Sequence, residues 1–375
     1  MKAARSIRPH LTGRMILQNL LHRPVRTTIT ILGVSFEVAM VMLVVGLSHG
    51  MLRASAARIL GVGGDVMVEP PGASLFMGLT SGTLPMSLIG RFSKLDQVEA
   101  VTPVFFRFTN LGTRLIWGID MKSWNRVTGG FTYLAGGPFE GPYDILVDND
   151  YARQDNVRVG QSLNLLNHAF RVCGIVEHGK GSRLFIPLQT AEHLAGQHDR
   201  VSIFFIKCTL PRYAGNVVRS IKKLYPEDSA LAVRQYMSML TTDPVSPLRD
   251  FVTVMVSTAV TIGFLMIFLS MYTTVAERTR EMGLLKSLGA SQGYIVRLIV
   301  KEAMALSVIG VLVGYSATWA GWWMIRRTYP TISVELTLGW AGWAGMLALG
   351  GSLLGAFYPA WRAAGLDPVD ALACE

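Results

Sequence analysis

Long apolar runs alternate with polar segments along this chain, and they predict its main division. Four runs, at residues 27–50, 251–275, 299–323 and 338–358, approach or exceed the roughly 20 apolar residues that a helix needs to cross a bilayer. Between the first two runs lies a segment of mixed composition, residues 51–250, which is long enough for a globular domain with its own core. The pattern therefore predicts an α-helical membrane protein with four transmembrane helices and one domain inserted between helices 1 and 2.

Two different periods of apolar residues occur within the inserted segment. Residues 101–108 and 201–209 have the apolar and β-branched composition that is typical of strands. Residues 87–98 and 214–224 place their apolar side chains at helical spacing instead. Strands and helices that alternate in this way predict an α+β domain with a mixed sheet.

Basic residues mark one side of the predicted membrane. Residues 1–26 carry six Lys or Arg residues and no acidic residue, and 12–24 has the pattern of an interfacial amphipathic helix. Because Lys and Arg are enriched in cytoplasmic segments, the N-terminus is predicted in the cytoplasm and the domain at 51–250 outside. Residues 276–298 and the tail 359–375 then return to the cytoplasm. Residues 324–337 form a short outer loop.

The most polar interruption between two predicted spans is residues 276–291. Acidic and basic side chains alternate there with apolar ones, and the pattern predicts a short amphipathic helix that Gly289 ends. A helix of this shape fits a groove on a partner protein, whereas the alternative is a solvated loop between two spans. The candidate partner-contacting residues are Glu277, Arg278, Glu281, Met282, Gly283, Leu284, Leu285, Lys286, Leu288 and Gly289.

Glycine pairs and one acid stand out inside the predicted spans. Glycines four positions apart let helices pack closely in lipid, and the pairs are Gly46 and Gly50, Gly310 and Gly314, and Gly351 and Gly355. Glu37 lies about ten residues into the first span, near the bilayer midplane, so it is expected to face the bundle interior. One interpretation is a neutral carboxyl that bonds a neighbouring hydroxyl; another is a moving polar contact or proton site. The candidate hydroxyls are Thr258, Thr261, Ser307 and Ser352.

The remaining chemistry of the chain predicts no catalytic residue, metal site or cofactor. Residues 174–181 resemble a phosphate-binding loop, but Gly181 takes the Ser/Thr position and no long helix follows. The histidines lack the spacing of a zinc site, and an extracytoplasmic enzyme has no nucleophile motif to support it. Cys173 and Cys208 both lie in the outer domain, and the sequence is compatible with either a disulfide between them or two free thiols. The net charge of +10 does not indicate nucleic-acid binding, because many basic residues flank the spans.

Three stretches, at residues 19–34, 277–303 and 358–372, carry a resemblance to a known family, and 145–176 adds to it. The chain resembles the permease subunits of the MacB/FtsX-like superfamily of ABC transporters. The resemblance covers nearly the whole chain, and the second stretch is its most specific part.

The resemblance implies a function and a set of partners. A homodimeric or pseudo-dimeric permease in the bacterial inner membrane would engage a separate ATPase through the helix at 276–291, and ATP would bind to that partner. Its outer domain would export or extract a hydrophobic or lipid-linked substrate from the outer side of the membrane. In some members of the superfamily a membrane-fusion adaptor and an outer-membrane duct complete the pump. The alternative within the superfamily is FtsX-like signalling to a cell-wall hydrolase.

Overall fold

The structure is a computed structural model that describes residues 24–71, 82–109, 114–242 and 246–365. The predicted interfacial helix at 12–24 and most of the tail at 359–375 therefore lie outside the described residues. The chain separates into two compact units. The helical unit contains the chain up to His49, Pro247–Arg326 and the chain from Val334. The sheet unit contains Gly50–Ser246 and Arg327–Ser333.

Helices and strands are interspersed throughout the described part of the sheet unit, whereas the described elements of the helical unit are all α-helices. In chain order they are α1 (Pro24–Gly61), β1 (Val66–Glu69), β2 (Leu84–Pro85), α2 (Leu88–Phe92), β3 (Val98–Phe108), β4 (Leu115–Ile119), α3 (Met121–Thr128), β5 (Tyr133–Gly136), β6 (Asp144–Asp148), α4 (Asn149–Gln154), β7 (Ser162–Leu165), β8 (His168–Val176), β9 (Leu184–Pro187), α5 (Leu188–Leu194), β10 (Arg200–Val201), β11 (Ile203–Cys208), α6 (Ala214–Leu224), β12 (Ser229–Ala232), α7 (Val233–Thr242), α8 (Ser246–Glu277), α9 (Thr279–Ser287), α10 (Gln292–Thr328) and α11 (Leu338–Gly365).

Three helices among the described residues are long and apolar enough to cross a membrane: α1, the Arg249–Glu277 part of α8, and α11. They cover the first, second and fourth predicted spans. The third predicted span lies in α10, which has 37 residues but is not one of those three. Charged side chains enter both ends of α10, at Lys301 and Glu302 and at Arg326 and Arg327. Three of the four predicted spans therefore coincide with a helix that is long and apolar enough to cross a membrane.

The sheet unit has the predicted α+β composition. Its main sheet contains ten of the described strands, in the order β12-β1-β11-β3-β4-β9-β6-β8-β5, with β7 also paired to β8. The β4–β9 and β6–β8 pairs are parallel, and the other pairs of this sheet are antiparallel. Strands β2 and β10 form a separate antiparallel pair.

Apolar side chains cover both faces of the main sheet. Phe204 and Ile206 of β11 point into one buried cluster with α2, α5 and α6, while Ile203 and Phe205 point into another. That second cluster contains α3 and the end of α1, and Trp117 stacks there on Phe205 with 5.8 Å between ring centroids. Because both faces are buried, β11 is a continuous apolar run rather than an alternating one.

Candidate functional site

The segment between the second and third predicted spans forms one short helix, α9, with a glycine end. Gly289 has φ +89°, a conformation that costs glycine little and other residues more. The N–H of Gly289 donates to the carbonyl of Lys286 and the N–H of Ala290 to that of Leu285, both at 2.9 Å. The end of the helix thus satisfies its own carbonyls, as αL-terminated helices do.

The apolar residues of α9 divide between two faces. Met282 and Gly283 are buried, and the half-buried Leu285 packs against the core of the helical unit. On the other side Leu284 is 48% exposed and Leu288 is 85% exposed. The sequence prediction grouped all of them as partner contacts, so it requires correction for the buried members. A short helix joined to two long ones must bury one stripe against them, and only the opposite stripe is accessible to a partner.

Two charged residues that immediately precede α9 contact the long helices. Arg278 pairs with Glu302 of α10 at 3.6 Å, and both side chains are only 10% exposed. Glu277 pairs with Arg26 of α1 at 3.1 Å, and the same guanidinium donates to the Thr274 hydroxyl at 3.0 Å.

A buried ion pair is costly to break because the remaining charge stays desolvated. This argument applies to Arg278, which contacts its own chain although the sequence assigned it to a partner, whereas the side chain of Glu277 is 43% exposed and remains a candidate partner contact. Sequence reasoning missed Arg26 and Glu302 as members of this site. The available signal was an acid inside the third apolar run, which requires a basic neighbour.

Three polar residues of this helix are exposed: Arg280, Glu281 and Ser287. The Glu281 carboxylate lies 3.9 Å from Nε of Arg278, and Lys286 is half-buried. The accessible part of α9 thus combines charged and polar side chains with Leu284 and Leu288.

Helix α1 packs along one face of α8 toward the middle of the unit. The Thr30 hydroxyl donates to the Ser270 hydroxyl at 2.7 Å. A Cβ added at Gly33 would lie 2.9 Å from Cγ of Met266. These contacts step along each helix by three or four residues, so they belong to one continuous stripe.

Glu37 occupies the next step of this stripe. Its side chain is 2% exposed, and a Cβ added at Gly263 of α8 would lie 1.6 Å from Oε2. Oε1 has no hydrogen-bond partner among the described residues. The carboxyl thus faces the bundle interior and uses the space that Gly263 leaves.

The four hydroxyls expected near Glu37 bond elsewhere. Thr258, Thr261, Ser307 and Ser352 each donate to the carbonyl four residues earlier in their own helix, at 2.7–2.8 Å. A hydroxyl inside a helix always has the carbonyl of residue i−4 within hydrogen-bonding distance. The Glu37 carboxyl, which is on another helix, is a less accessible acceptor. The predicted partners of Glu37 are therefore wrong.

The glycine pairs lie in different surroundings. A Cβ added at Gly310 would lie 2.7 Å from Cβ of Val34, and one added at Gly314 would lie 2.8 Å from Cβ of Val38. Helix α1 therefore packs closely against this pair of glycines. A Cβ added at Gly355 would lie 3.0 Å from the carbonyl oxygen of Phe264 in α8.

The other predicted glycines differ from that arrangement. At Gly351 an added Cβ would meet no atom within 4 Å, so this glycine makes no close helix contact in the described chain. Gly46 lies against the carbonyl of Glu335 in the chain before α11 rather than against a helix. Gly50 is buried at the start of the sheet unit. The four-residue spacing of the glycines therefore did not predict which part of the chain packs against each of them.

The loop that resembles a phosphate-binding motif is used for packing. Gly179 and Gly181 have φ of +114° and +69°, and a Cβ added at Gly181 would lie 2.1 Å from the Trp117 ring. Lys180 donates to the carbonyl of Thr128 at 3.0 Å. These residues shape the loop against the sheet, and its lysine is turned toward the protein.

Other candidate chemistry remains scattered. The described residues contain no group of three or more His, Cys, Asp or Glu side chains that could hold a metal ion. Cys173 and Cys208 are both free thiols, which decides between the two alternatives left by the sequence. Burial raises the pKa of the Cys173 thiol to about 12 and that of Cys208 to about 11. Both are therefore neutral at physiological pH and unsuited to nucleophilic chemistry.

Two family models match this chain. Residues 27–224, more than half of the sequence, match the MacB-like periplasmic core domain, and residues 253–368 match the FtsX-like permease C-terminal model. The first match covers most of α1 and most of the sheet unit, up to the end of α6, and the second covers most of α8 and all of α9, α10 and α11.

Curated relatives align with nearly all of the chain. The macrolide export ATP-binding/permease protein MacB of Sodalis glossinidius is 25% identical over 394 residues, covering 94% of this chain and 59% of the relative. The pyoverdine export ATP-binding/permease protein PvdT of Pseudomonas syringae pv. tomato is 25% identical over 381 residues, covering 93% and 57%. The chain thus spans a little under three-fifths of the length of these relatives.

Solved structures align with about half of the chain. The periplasmic region of MacB from Actinobacillus actinomycetemcomitans has a TM-score of 0.37 and 16% identity, and it covers 48% of this chain and 95% of its own. The extracellular domain of the transporter YknZ from Gram-positive bacteria has a TM-score of 0.35 and 11% identity, with coverage of 44% and 98%. From the two matched family models, the chain belongs to the MacB/FtsX-like family of ABC transporter permeases and is a transporter component.

Proposed function

We propose that this chain is the permease subunit of an ABC exporter, and that a partner ATPase binds and hydrolyses ATP. The observation that carries the proposal is the division of α9 into two faces. One face packs against the helical unit through Met282 and Leu285, and the other presents Leu284 and Leu288 to solvent. Directly before the first turn, Glu277 and Arg278 form ion pairs with α1 and α10. An apolar pair on a firmly held short helix is a suitable anchor for a groove on the ATPase.

The ion pairs give a path for movement within the helical unit. A push on α9 acts on Arg278 and so on Glu302 of α10, and it acts on Glu277 and so on Arg26 of α1. Helix α1 continues without interruption to Gly61, beyond the predicted span. Closure of the ATPases would therefore be transmitted along continuous helices, and the outer domain would respond.

We infer that all four long helices cross the inner membrane of a bacterium, with α9 in the cytoplasm. On α11 the exposed Trp340 and Trp361 are 21 positions apart, or about 31 Å at 1.5 Å per residue. This spacing fits a hydrocarbon core of roughly 30 Å with aromatic residues at both interfaces. Trp319 and Trp323 are exposed near the end of α10, which supports the same arrangement for that helix.

The substrate and the other partners follow from the family. The relatives named above are named for the export of a macrolide and of pyoverdine, which favours export over FtsX-like signalling. From the family resemblance alone, we propose a hydrophobic or lipid-linked substrate that is taken up on the outer side. Exposed apolar residues along α8 and α10 would meet lipid or a second permease copy in a homodimer. A membrane-fusion adaptor and an outer-membrane duct would complete the exporter.

Affinity isolation through a tag on this chain tests the function directly. Isolated from native membranes, the chain is expected to carry an ATPase subunit, and the complex should hydrolyse ATP while the chain alone does not. Mass spectrometry of the bound proteins and lipids identifies the partners. A cell-wall hydrolase without an adaptor among them would favour the signalling alternative.

Thiol labelling tests the proposed sidedness. In a variant without native cysteines, Lys223→Cys should react with a membrane-impermeant maleimide in intact spheroplasts, whereas Ser287→Cys should react only after permeabilisation. Both positions are exposed on their own unit, so accessibility to solvent is matched. The opposite labelling pattern would place α9 outside and exclude its contact with a cytoplasmic ATPase.

A further inference from the structure

Residues Arg327–Ser333, which comprise the last two residues of α10 and the first part of its connection to α11, belong to the sheet unit. The rest of α10 and all of α11 belong to the helical unit. A little further along, the N–H of Glu335 donates to the carbonyl of Gly46 on α1 at 2.9 Å, a contact within the helical unit. This stretch is therefore attached at two places within a few residues, once in each unit.

Hydrogen bonds of Thr331 join residues 327–333 to other parts of the sheet unit. Nη2 of Arg183 donates to the Thr331 carbonyl oxygen at 2.5 Å. The Thr331 hydroxyl donates to the side-chain oxygen of Gln154. Arg183 directly precedes β9, an interior strand of the sheet, and Gln154 is the last residue of α4. The loop 327–333 is thus bonded to the rest of the sheet unit through a strand and through a helix.

Arg183 is itself held in place from inside the sheet unit. Its carbonyl accepts the N–H of Asp148 at 2.8 Å, and the buried Asp148 carboxyl accepts the N–H of Tyr151 at 2.7 Å. Burial raises the pKa of Asp148 to about 6, while the Tyr151 N–H and the Arg183 guanidinium oppose that rise. At neutral pH an anion therefore lies near Arg183 and favours its present position.

The loop that contains Arg183 also forms hydrogen bonds with the end of α1. The N–H of Gly181 donates to the carbonyl of Arg58 at 2.8 Å, and Nε of Arg58 donates back to the Gly181 carbonyl at 3.3 Å. A Cβ added at Gly61 would lie 1.8 Å from the Gly179 carbonyl oxygen, so the two backbones touch. Residues 179–183 therefore contact two of the chain segments that lead from the sheet unit into the helical unit.

We propose that Arg183 is a positioning residue that holds residues 327–333 in place within the sheet unit, through the same segment 179–183 that contacts the end of α1. The bond uses a backbone carbonyl, so it depends on Arg183 and not on the side chain at position 331. Gln154 adds a second bond through the Thr331 hydroxyl. This positioning role does not depend on the proposed function.

Hydrogen exchange of the full chain in lipid nanodiscs tests this role. The loop peptide contains the amides of Ile332 and Glu335, which donate to the carbonyls of Tyr329 and Gly46 at 2.9 Å. Arg183→Ala should speed their exchange about tenfold, as expected for loss of a charge-assisted hydrogen bond. Arg183→Lys retains a cationic donor and should stay within about threefold of the wild type. Arg153→Ala, an exposed arginine on the helix of Gln154, is the matched control and should change nothing.

The distribution of the effect distinguishes positioning of the loop from general stabilisation. A rise confined to the loop peptide supports the proposal. A rise of equal size across the whole sheet unit would mean that Arg183 only stabilises the Asp148 region, and it would overturn the proposal. Gln154→Ala removes the second bond without touching the Asp148 region and should speed loop exchange by a few-fold. If Arg183→Ala does not fold, Arg183→Gln, which removes the guanidinium but keeps a polar side chain, takes its place, and loop exchange equal to that of the wild type then overturns the proposal.

Discussion

Replacing Leu284 and Leu288 together by aspartate should abolish association with the partner ATPase while the chain still inserts and folds. These two are the exposed apolar side chains of α9, so they would form the centre of a contact in a groove. Buried apolar anchors at the centre of an interface contribute about 2 kcal/mol or more each, and a buried carboxylate adds a desolvation cost. The combined loss should exceed about a hundredfold in affinity, and it is measured by co-purification through a tag on this chain.

Two neighbouring substitutions separate contact with the partner from damage to the chain. Ser287→Asp adds the same charge at an exposed position of α9 without removing an apolar anchor, so most of the ATPase should still co-purify. Leu285→Asp places a carboxylate on the face that packs against the helical unit, so it should lower the thermal stability of the chain itself. Normal ATPase recovery with both leucines replaced would refute the docking role of this face.

Gly263→Ala should destabilise the helical unit, because its Cβ would occupy the space of the Glu37 carboxyl. The added atom would lie 1.6 Å from Oε2 and 2.4 Å from Cδ, so the carboxyl must move or α1 and α8 must separate. Glu37 is buried and has little room to move. Overpacking of this kind costs about 1–3 kcal/mol, which should appear as a lower melting temperature in detergent.

A double-mutant cycle with Glu37→Ala identifies the cause. Removing the carboxyl frees the space that the new Cβ needs, so Gly263→Ala should cost little in the Glu37→Ala background, with a coupling of at least about 1 kcal/mol. Gly350→Ala of α11 is the matched control, since a Cβ there meets no atom within 4 Å and alanine favours a helix. Additive effects of the two substitutions would show that Glu37 does not occupy this space in the membrane.

The sequence by itself predicted the long helices and the α+β kind of the inserted segment, whereas the helix predicted at 87–98 is limited to Leu88–Phe92 and β3 begins at Val98. Period and length of the apolar runs predicted the long helices, and the continuous apolar run of β11 is explained by a sheet buried on both faces. The positive-φ position of Gly289 follows from its place after the last turn of α9. These features depend on residues that are close together in the chain, so local physics is sufficient to predict them.

Only the tertiary structure decided what each element contacts. Helical spacing gives α9 two faces, but which leucine is exposed depends on where α10 and α11 pack. Arg26 and Thr274 are 248 positions apart, and no local pattern relates them. The hydroxyls expected beside Glu37 turned to their own backbones, because an i−4 carbonyl is always within reach of a helical hydroxyl while a distant carboxyl must be brought there by packing. The contact of Arg183 with Thr331 could not be predicted either, since the two residues are 148 positions apart in the chain.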